Sequence, residues 1–372
     1  MYTRREFLTQ MAAAGIAAES QMHDAEVSSE RVVAGKKQNM KTYQVAHANL
    51  TVSRIAYGTA TLGLEPDYAD ERSFKESYTR GSAGPMAPDA ITKGLKIINT
   101  AYEHGITLFD LAHTYGGGKA EILFGEVMKM SPGLRNNITI QSKCGADSKG
   151  LNSSYEHIVS ATEESLRRLR TDYIDILLLH AHDHLVEPDE VARAFDILNR
   201  GGRVRYFGVS NHTIHQIELL KNSVEQPLVV NQIKLGLASC CPIAGSLVDA
   251  RYADFSGIVD YCRASGMLVQ AYSPLKGEYV WGRTLIDPAD DAPLEFKQAA
   301  VLLADIAKKY SATPAQVMLA WLLRHPAGVV PITGATKPAH IIENCSADRL
   351  EINRQDWYAL LEAAVKFQRR PS

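Results

Sequence analysis

Eight short apolar runs recur along this chain, each separated from the next by a segment of helical periodicity, and no other feature narrows the choice of folds as far. The runs are Ile55 to Tyr57, Leu108 to Phe109, Ile138 to Ile140, Ile174 to Leu179, Tyr206 to Val209, Leu228 to Val230, Leu268 to Ala271 and Val329 to Ile332. A hydrophobic period that switches between strand and helix is the mark of βα units, not of a sandwich. Several helix ends are readable. Asp89 opens a segment that stops at His104-Gly105, and Ser153 with Glu156 makes a capping box ahead of Ile158, Leu166 and Leu169. Thr313-Pro314-Ala315-Gln316 is a second box with proline at the first helical position, and His325-Pro326 closes its helix. Eight such units predict a closed (β/α)8 TIM barrel; an open doubly wound sheet is the other arrangement the pattern allows. Long loops after strands 1 and 6, Leu62 to Pro88 and Gly236 to Asp254, and an extra C-terminal helix over Asn353 to Phe367 complete the expected α/β domain. On a barrel both loops overhang the active-site mouth.

The chain of 372 residues is long enough to bury a large core, and its 45% hydrophobic and 22% charged residues exclude disorder and fibre. Forty basic against 42 acidic residues leave a net charge of −2, which offers no field for a polyanion and excludes nucleic acid as the expected partner. Five cysteines, including the adjacent Cys240 and Cys241, show no zinc-ligand spacing and are read as reduced thiols. The apolar stretch Met11 to Ala18 is far too short to span a bilayer. Before it, Thr3-Arg4-Arg5-Glu6-Phe7-Leu8 resembles a twin-arginine export signal, with Glu19 interrupting the apolar region behind it. Residues 1–39 are therefore expected to be a signal-like segment or a disordered tail, and 40–372 the barrel domain. The expected location is the cytoplasm, with export to the periplasm as the alternative.

Polar residues follow the apolar runs directly: Asp110 after strand 2, Lys143 after strand 3, His180 after strand 4, Ser210-Asn211 after strand 5, Gln232 after strand 6 and Tyr272-Ser273 after strand 7. A barrel gathers such positions into one ring at its C-terminal face. Lys143 ends an apolar string and would be costly to bury without a partner, which Asp110 on the neighbouring strand supplies. A lysine held there favours ionisation of a nearby phenol, and Tyr115, in Tyr115-Gly116-Gly117-Gly118, is placed to be that phenol. The expected result is a general acid for a carbonyl oxygen, with His180 donating a second hydrogen bond to it. The hydride must come from elsewhere. With no metal motif or flavin fingerprint, a nicotinamide is the economical source.

The string Phe109-Asp110-Leu111-Ala112-His113-Thr114-Tyr115-Gly116, with Glu121 and Gly125 after it, resembles the signature of the aldo-keto reductase family. Ser142-Lys143, Leu179-His180, Val204 to Asn211, Asn231-Gln232, Tyr272 to Leu275 and Gly334-Ala335 to Glu343-Asn344 resemble its further segments in order, over about Lys41 to Phe367. The resemblance implies NADPH-dependent reduction of an aldehyde or ketone, with Asp110, Tyr115, Lys143 and His180 as catalytic residues. It implies that Ser210, Asn211 and Gln232 bind the nicotinamide carboxamide and that Tyr272 stacks on the ring. Ser273, Pro274 and Leu275 would line the pyrophosphate. Gly334, Ala335, Thr336 and Lys337 would hold the adenosine phosphate, and Glu343 and Asn344 the adenine. An extended cofactor of this kind needs no GxGxxG loop, and none follows a strand here. Three positions depart from the family pattern. His340 stands where arginine or glutamine is usual, Lys276 where glycine is more common, and Ala181 where a larger residue often follows the histidine. An imidazole lacks the two-pronged fork of arginine, so NADP is expected as cofactor with NAD possible.

Two other readings use the same residues. Leu179-His180-Ala181-His182-Asp183-His184 has the form of a metal-dependent hydrolase's HxH, although it leaves Tyr115 and Lys143 unexplained and strand 8 ends without a carboxylate. A nicotinamide-binding regulatory subunit without turnover is the other. The substrate and the oligomeric state are not legible.

Overall fold

The structure is a computed structural model, which describes residues 39–62, 89–147, 149–244, 257–275 and 284–368. The twin-arginine-like segment, Lys276 and most of the two long loops lie outside the described residues.

Eight parallel strands close on themselves: β1 (Ala56–Gly58), β2 (Leu108–Asp110), β3 (Thr139–Cys144), β4 (Ile174–Leu179), β5 (Val204–Ser210), β6 (Leu228–Lys234), β7 (Leu268–Tyr272) and β8 (Val330–Thr333). They lie in chain order around the barrel, and closure is made where Ile332 and Thr333 of β8 pair with Ala56 and Tyr57 of β1. β3 and β4 are buried at every position, as strands covered on both faces must be. The apolar runs locate the strands, but all except the run of β4, which ends with its strand at Leu179, stop short of the strand's C-terminal end. β3 continues through Ser142, Lys143 and Cys144, and β6 through Asn231, Gln232, Ile233 and Lys234. Those polar ends are where the chemistry gathers.

Among the described residues ten principal helices surround the sheet: α1 (Ala90–Glu103), α2 (Lys119–Met130), α3 (Tyr155–Leu169), α4 (Pro188–Arg200), α5 (Ile214–Lys221), α6 (Ile258–Ala264), α7 (Leu294–Lys309), α8 (Pro314–Leu323), α9 (Pro338–Ser346) and α10 (Arg354–Gln368). Thr313 caps α8 in the expected box with Gln316, and Thr213 with Gln216 makes a box for α5 that the sequence reading overlooks. One cap is shifted. Ser154, not Ser153, is the N-cap of α3, its hydroxyl accepting from the His157 amide, while the Ser153 hydroxyl is buried without a partner. α10 matches the expected extra helix. It is clamped to α8 by the Trp321 and Trp357 rings, 5.1 Å apart and 9° from parallel, each indole donating to the other residue's carbonyl. It also meets α7 through Phe296 and Phe367, whose rings are 5.0 Å apart.

An antiparallel hairpin, Thr42–Val45 with Leu50–Ser53, precedes β1 and was not expected from the sequence. Its four-residue strands alternate too briefly to register as a pattern. Val45 and Val52 bury themselves among Ala56, Leu108, Ile176, Leu178, Val230 and Val330, each such burial contributing about 1.5–3 kcal/mol. Asp348 anchors the hairpin, accepting from the Lys41 amide at 2.9 Å and from Arg54 at 3.2 Å. All five cysteines are free, and burial pushes the thiols of Cys144, Cys240, Cys262 and Cys345 up to about 12. Among the described residues no helix is long and apolar enough to cross a membrane.

Candidate active site

Four expected residues come together at the C-terminal end of β2, β3 and β4. Asp110 is the last residue of β2, Lys143 the penultimate residue of β3, and His180 follows β4 directly. The Lys143 amine donates to Asp110 Oδ1 at 2.7 Å and Oδ2 at 2.8 Å, to the Leu111 carbonyl at 2.9 Å and to the Tyr115 phenol at 2.8 Å. Every one of these atoms is an acceptor toward an ammonium group. Burial pulls the Lys143 pKa down while Asp110 pushes back, and the surrounding oxygens fit the charged form.

Tyr115 begins a tight turn, Tyr115–Gly118, in which Gly116, Gly117 and Gly118 take φ of 58°, 65° and 92°. Left-handed backbone at three successive positions needs glycine, which accounts for the run in the sequence. A side chain at Gly118 would also strike the Arg168 guanidinium, its Cβ only 2.4 Å from Cζ. Arg168 in turn donates to the His113 carbonyl at 2.9 Å and to the buried Glu121 at 3.3 Å, so α3 braces the turn that carries the phenol. His180 lies edge-on to the Tyr115 ring with centroids 5.9 Å apart. Burial, assisted by the Lys143 cation, pushes the His180 pKa down to about 3, so its ring is neutral and can donate one N–H.

Above this group opens a cavity of about 860 Å³. Its inner wall holds Asp110, Tyr115 and His180. It continues past Ser210, Asn211, Gln232 and Tyr272 to Ser273, Pro274 and Leu275, and ends at Gly334, Ala335, His340, Glu343 and Asn344. The strand-end residues are cross-braced: Ser210 Oγ donates to the Gln232 carbonyl at 3.0 Å, Asn211 Nδ2 to Ser210 Oγ at 3.0 Å, and Tyr272 OH to Asn211 Oδ1 at 3.0 Å. Asn211 and Ser273 take φ of 58° and 54°, left-handed conformations in non-glycine residues at the cavity wall. At the far end Thr313 Oγ1 donates to Glu343 Oε1 at 2.6 Å and Asn344 Nδ2 to Thr333 Oγ1 at 2.6 Å. Thr336 and Lys337 do not line the cavity; both are exposed, with Lys337 at the N-cap of α9.

Other lining residues escape a reading based on strand ends. Gly58 ends β1, Ala60 and Thr61 follow it, and Pro314 and Ala315 open α8; the glycine after the first apolar run and the second capping box were their only signals. Gln141 and Gln270 lie deeper, inside β3 and β7; Gln141 reaches Asp110 from below, and Gln270 pairs with Gln141. His182 packs beside His184 and His212, ring centroids 4.8 and 5.5 Å away. Among the described residues no three His, Cys, Asp or Glu side chains stand in metal-binding geometry.

The profile of the Aldo/keto reductase family matches residues 54–364. An uncharacterized oxidoreductase of Bacillus subtilis, YcsN, is 37% identical over 280 residues, 72% of this chain and 87% of that one. The 6-dehydroglucose reductase of Agrobacterium fabrum is 31% identical over 326 residues, 85% of this chain and 95% of that protein. An aldo-keto reductase from Klebsiella pneumoniae, solved with NADPH, shares the fold with a TM-score of 0.64 at 24% identity, covering 87% of this chain and 94% of its own. With a closed parallel barrel, an Asp–Lys–Tyr–His group at its C-terminal mouth and a family match over most of its length, this chain belongs to the aldo/keto reductase family.

Proposed function

We propose that the protein reduces an aldehyde or ketone to an alcohol with NADPH, Tyr115 acting as the general acid. The observation that carries this reading is the Lys143 ammonium bridging Asp110 and the Tyr115 phenol, at 2.7 and 2.8 Å, beside the neutral His180. A carbonyl oxygen placed between the phenol and the imidazole would accept two hydrogen bonds. As charge develops on that oxygen, Tyr115 gives up its proton, and Lys143 stabilises the phenolate left behind. His180 orients the oxygen through its N–H. The reaction is reversible, and the same phenolate accepts the proton in the oxidative direction.

The cavity fits a nicotinamide dinucleotide by its chemistry. Amide and hydroxyl groups of Ser210, Asn211 and Gln232 suit a carboxamide, the half-buried Tyr272 offers a ring face, and Glu343 and Asn344 offer polar edges to an adenine. The group, when bound, supplies the hydride. Lys337 at the N-terminus of α9 offers a point charge to a 2′-phosphate, while His340 cannot make arginine's fork. NADPH is therefore expected to be preferred modestly over NADH. Support comes also from the reductase and NADPH-bound relatives named above.

The test is nicotinamide absorbance with NADPH and with NADH against aldehydes, ketones and oxidised sugars. Turnover with at least one carbonyl, faster with NADPH, is expected; tight cofactor binding with no turnover on any would favour a regulatory subunit. Because NADPH must be renewed after each turnover, we place the activity in the cytoplasm. Cell fractionation checks this, and a mature chain lacking its first residues in an extracytoplasmic fraction would reverse it.

A further inference from the structure

Beneath Asp110 the barrel holds three buried glutamines, Gln141, Gln232 and Gln270, on β3, β6 and β7. Gln141 and Gln270 form a reciprocal amide pair: Gln141 Nε2 donates to Gln270 Oε1 at 2.7 Å, and Gln270 Nε2 donates to Gln141 Oε1 at 2.8 Å. Gln141 Nε2 also donates to Asp110 Oδ1 at 2.7 Å, and Gln232 Nε2 to the same oxygen at 2.8 Å and to Gln270 Oε1 at 2.9 Å. Oδ1 thus faces two amide donors as well as Lys143. Gln232 lines the cavity, but Gln141 and Gln270 do not.

We propose that Gln141 and Gln270 are positioning residues for the acid, holding negative charge on Asp110 so that the Lys143 cation acts on Tyr115. The inference rests on the reading of Tyr115 as the acid. A buried carboxylate and ammonium can remain an ion pair or relax to a neutral pair, and the groups around them decide which. Amide N–H groups only donate, so they support the ionised carboxylate. The pairing with Gln270 also sets which end of Gln141 faces Asp110. Turning the Gln141 amide over would set its oxygen against the carboxylate and break both bonds to Gln270. With an amide donor removed, Asp110 draws harder on the Lys143 proton, less positive charge reaches the phenol, and the phenolate is less stabilised. The other titratable groups facing the site, His180 from the end of β4 and Glu121 from α2 behind Ser142, are left in place.

The experiment is 13C NMR of the full-length, ligand-free protein carrying ring-labelled tyrosine, with the Tyr115 signal assigned by its loss in Tyr115→Phe. Two variants are compared with wild type: Gln141→Met, and the double change Gln141→Met with Gln270→Met, which replaces both members of the reciprocal pair by apolar groups of similar size and leaves only the Gln232 N–H that faced Gln270 without its acceptor. Tyr115 is expected to titrate at higher pH in both variants by at least about half a unit. The high-pH limb of carbonyl reduction should move with it, and cofactor affinity should stay within about twofold of wild type. Unchanged Tyr115 titration in folded variants would overturn the proposal, even if their melting temperatures fell. Full turnover by Tyr115→Phe would instead remove the acid assignment on which it rests.

Discussion

Three histidines, His212 buried and His113 and His180 half-buried, give the protein an acid-sensitive folded state. Burial pushes His180 down to about 3 and His212 to about 4, and burial with the Arg168 cation pushes His113 to about 4. Each is neutral when folded, whereas in the unfolded chain a histidine takes up a proton below about pH 6.5. The sign follows: the stability they support is fully present above about pH 6.5 and is lost as pH falls toward 4, at about 1 kcal/mol per pH unit for each. Denaturant unfolding at pH 7, 6 and 5 should show this slope, and His212→Asn should make it shallower; identical slopes would refute the assignment. The same neutrality keeps His180 an N–H donor throughout the working pH range. At this scale the sequence is readable where a polar residue directly follows an apolar run, as with Asp110 and His180, or ends a short polar string behind one, as with Lys143 and Gln232. It is mute for Gln141, which opens the polar string that Lys143 ends, and for Gln270, which interrupts an apolar run. Each looks like any other polar strand residue until closure pairs the two and brings Gln141 onto Asp110.

Among the elements, the turn Tyr115–Gly118 connects sequence to chemistry most tightly. Its glycines permit the left-handed path, and α3 braces it through Arg168. Gly118→Ala would add strain at φ 92° and push the Arg168 guanidinium out of place. A loss of about 1–3 kcal/mol of stability is expected, together with at least tenfold slower turnover and cofactor affinity within about twofold of wild type. Thermal melts and steady-state kinetics on the same preparation check this, and normal kinetics would show that the turn tolerates displacement. Helix ends with strong cap chemistry, such as Thr313-Pro314, are legible from sequence. The Ser153 and Ser154 pair is not, because two adjacent hydroxyls offer the same signal and only the path of the chain after β3 selects one. The N-terminal hairpin is hidden for another reason. Its strands are short, and its stability comes from distant partners such as Asp348, close to the far end of the chain.

For the molecule as a whole, the repeat of eight apolar runs carries the architecture, since right-handed βα units of this number close most readily into a barrel. Closure then makes one site from residues as far apart as Gly58 and Asn344. What the repeat leaves open is what covers the mouth, because loop length follows no hydrophobic period. The central claim is that the barrel mouth is a reductase site whose proton comes from Tyr115. Its most direct test is single-turnover reduction of a carbonyl by wild type and Tyr115→Phe at saturating NADPH, with the dissociation constant for NADPH measured alongside. The phenol should account for a rate loss of about 10²–10⁴-fold at unchanged NADPH affinity. Wild-type rates in the Phe variant would mean that the proton comes from another group.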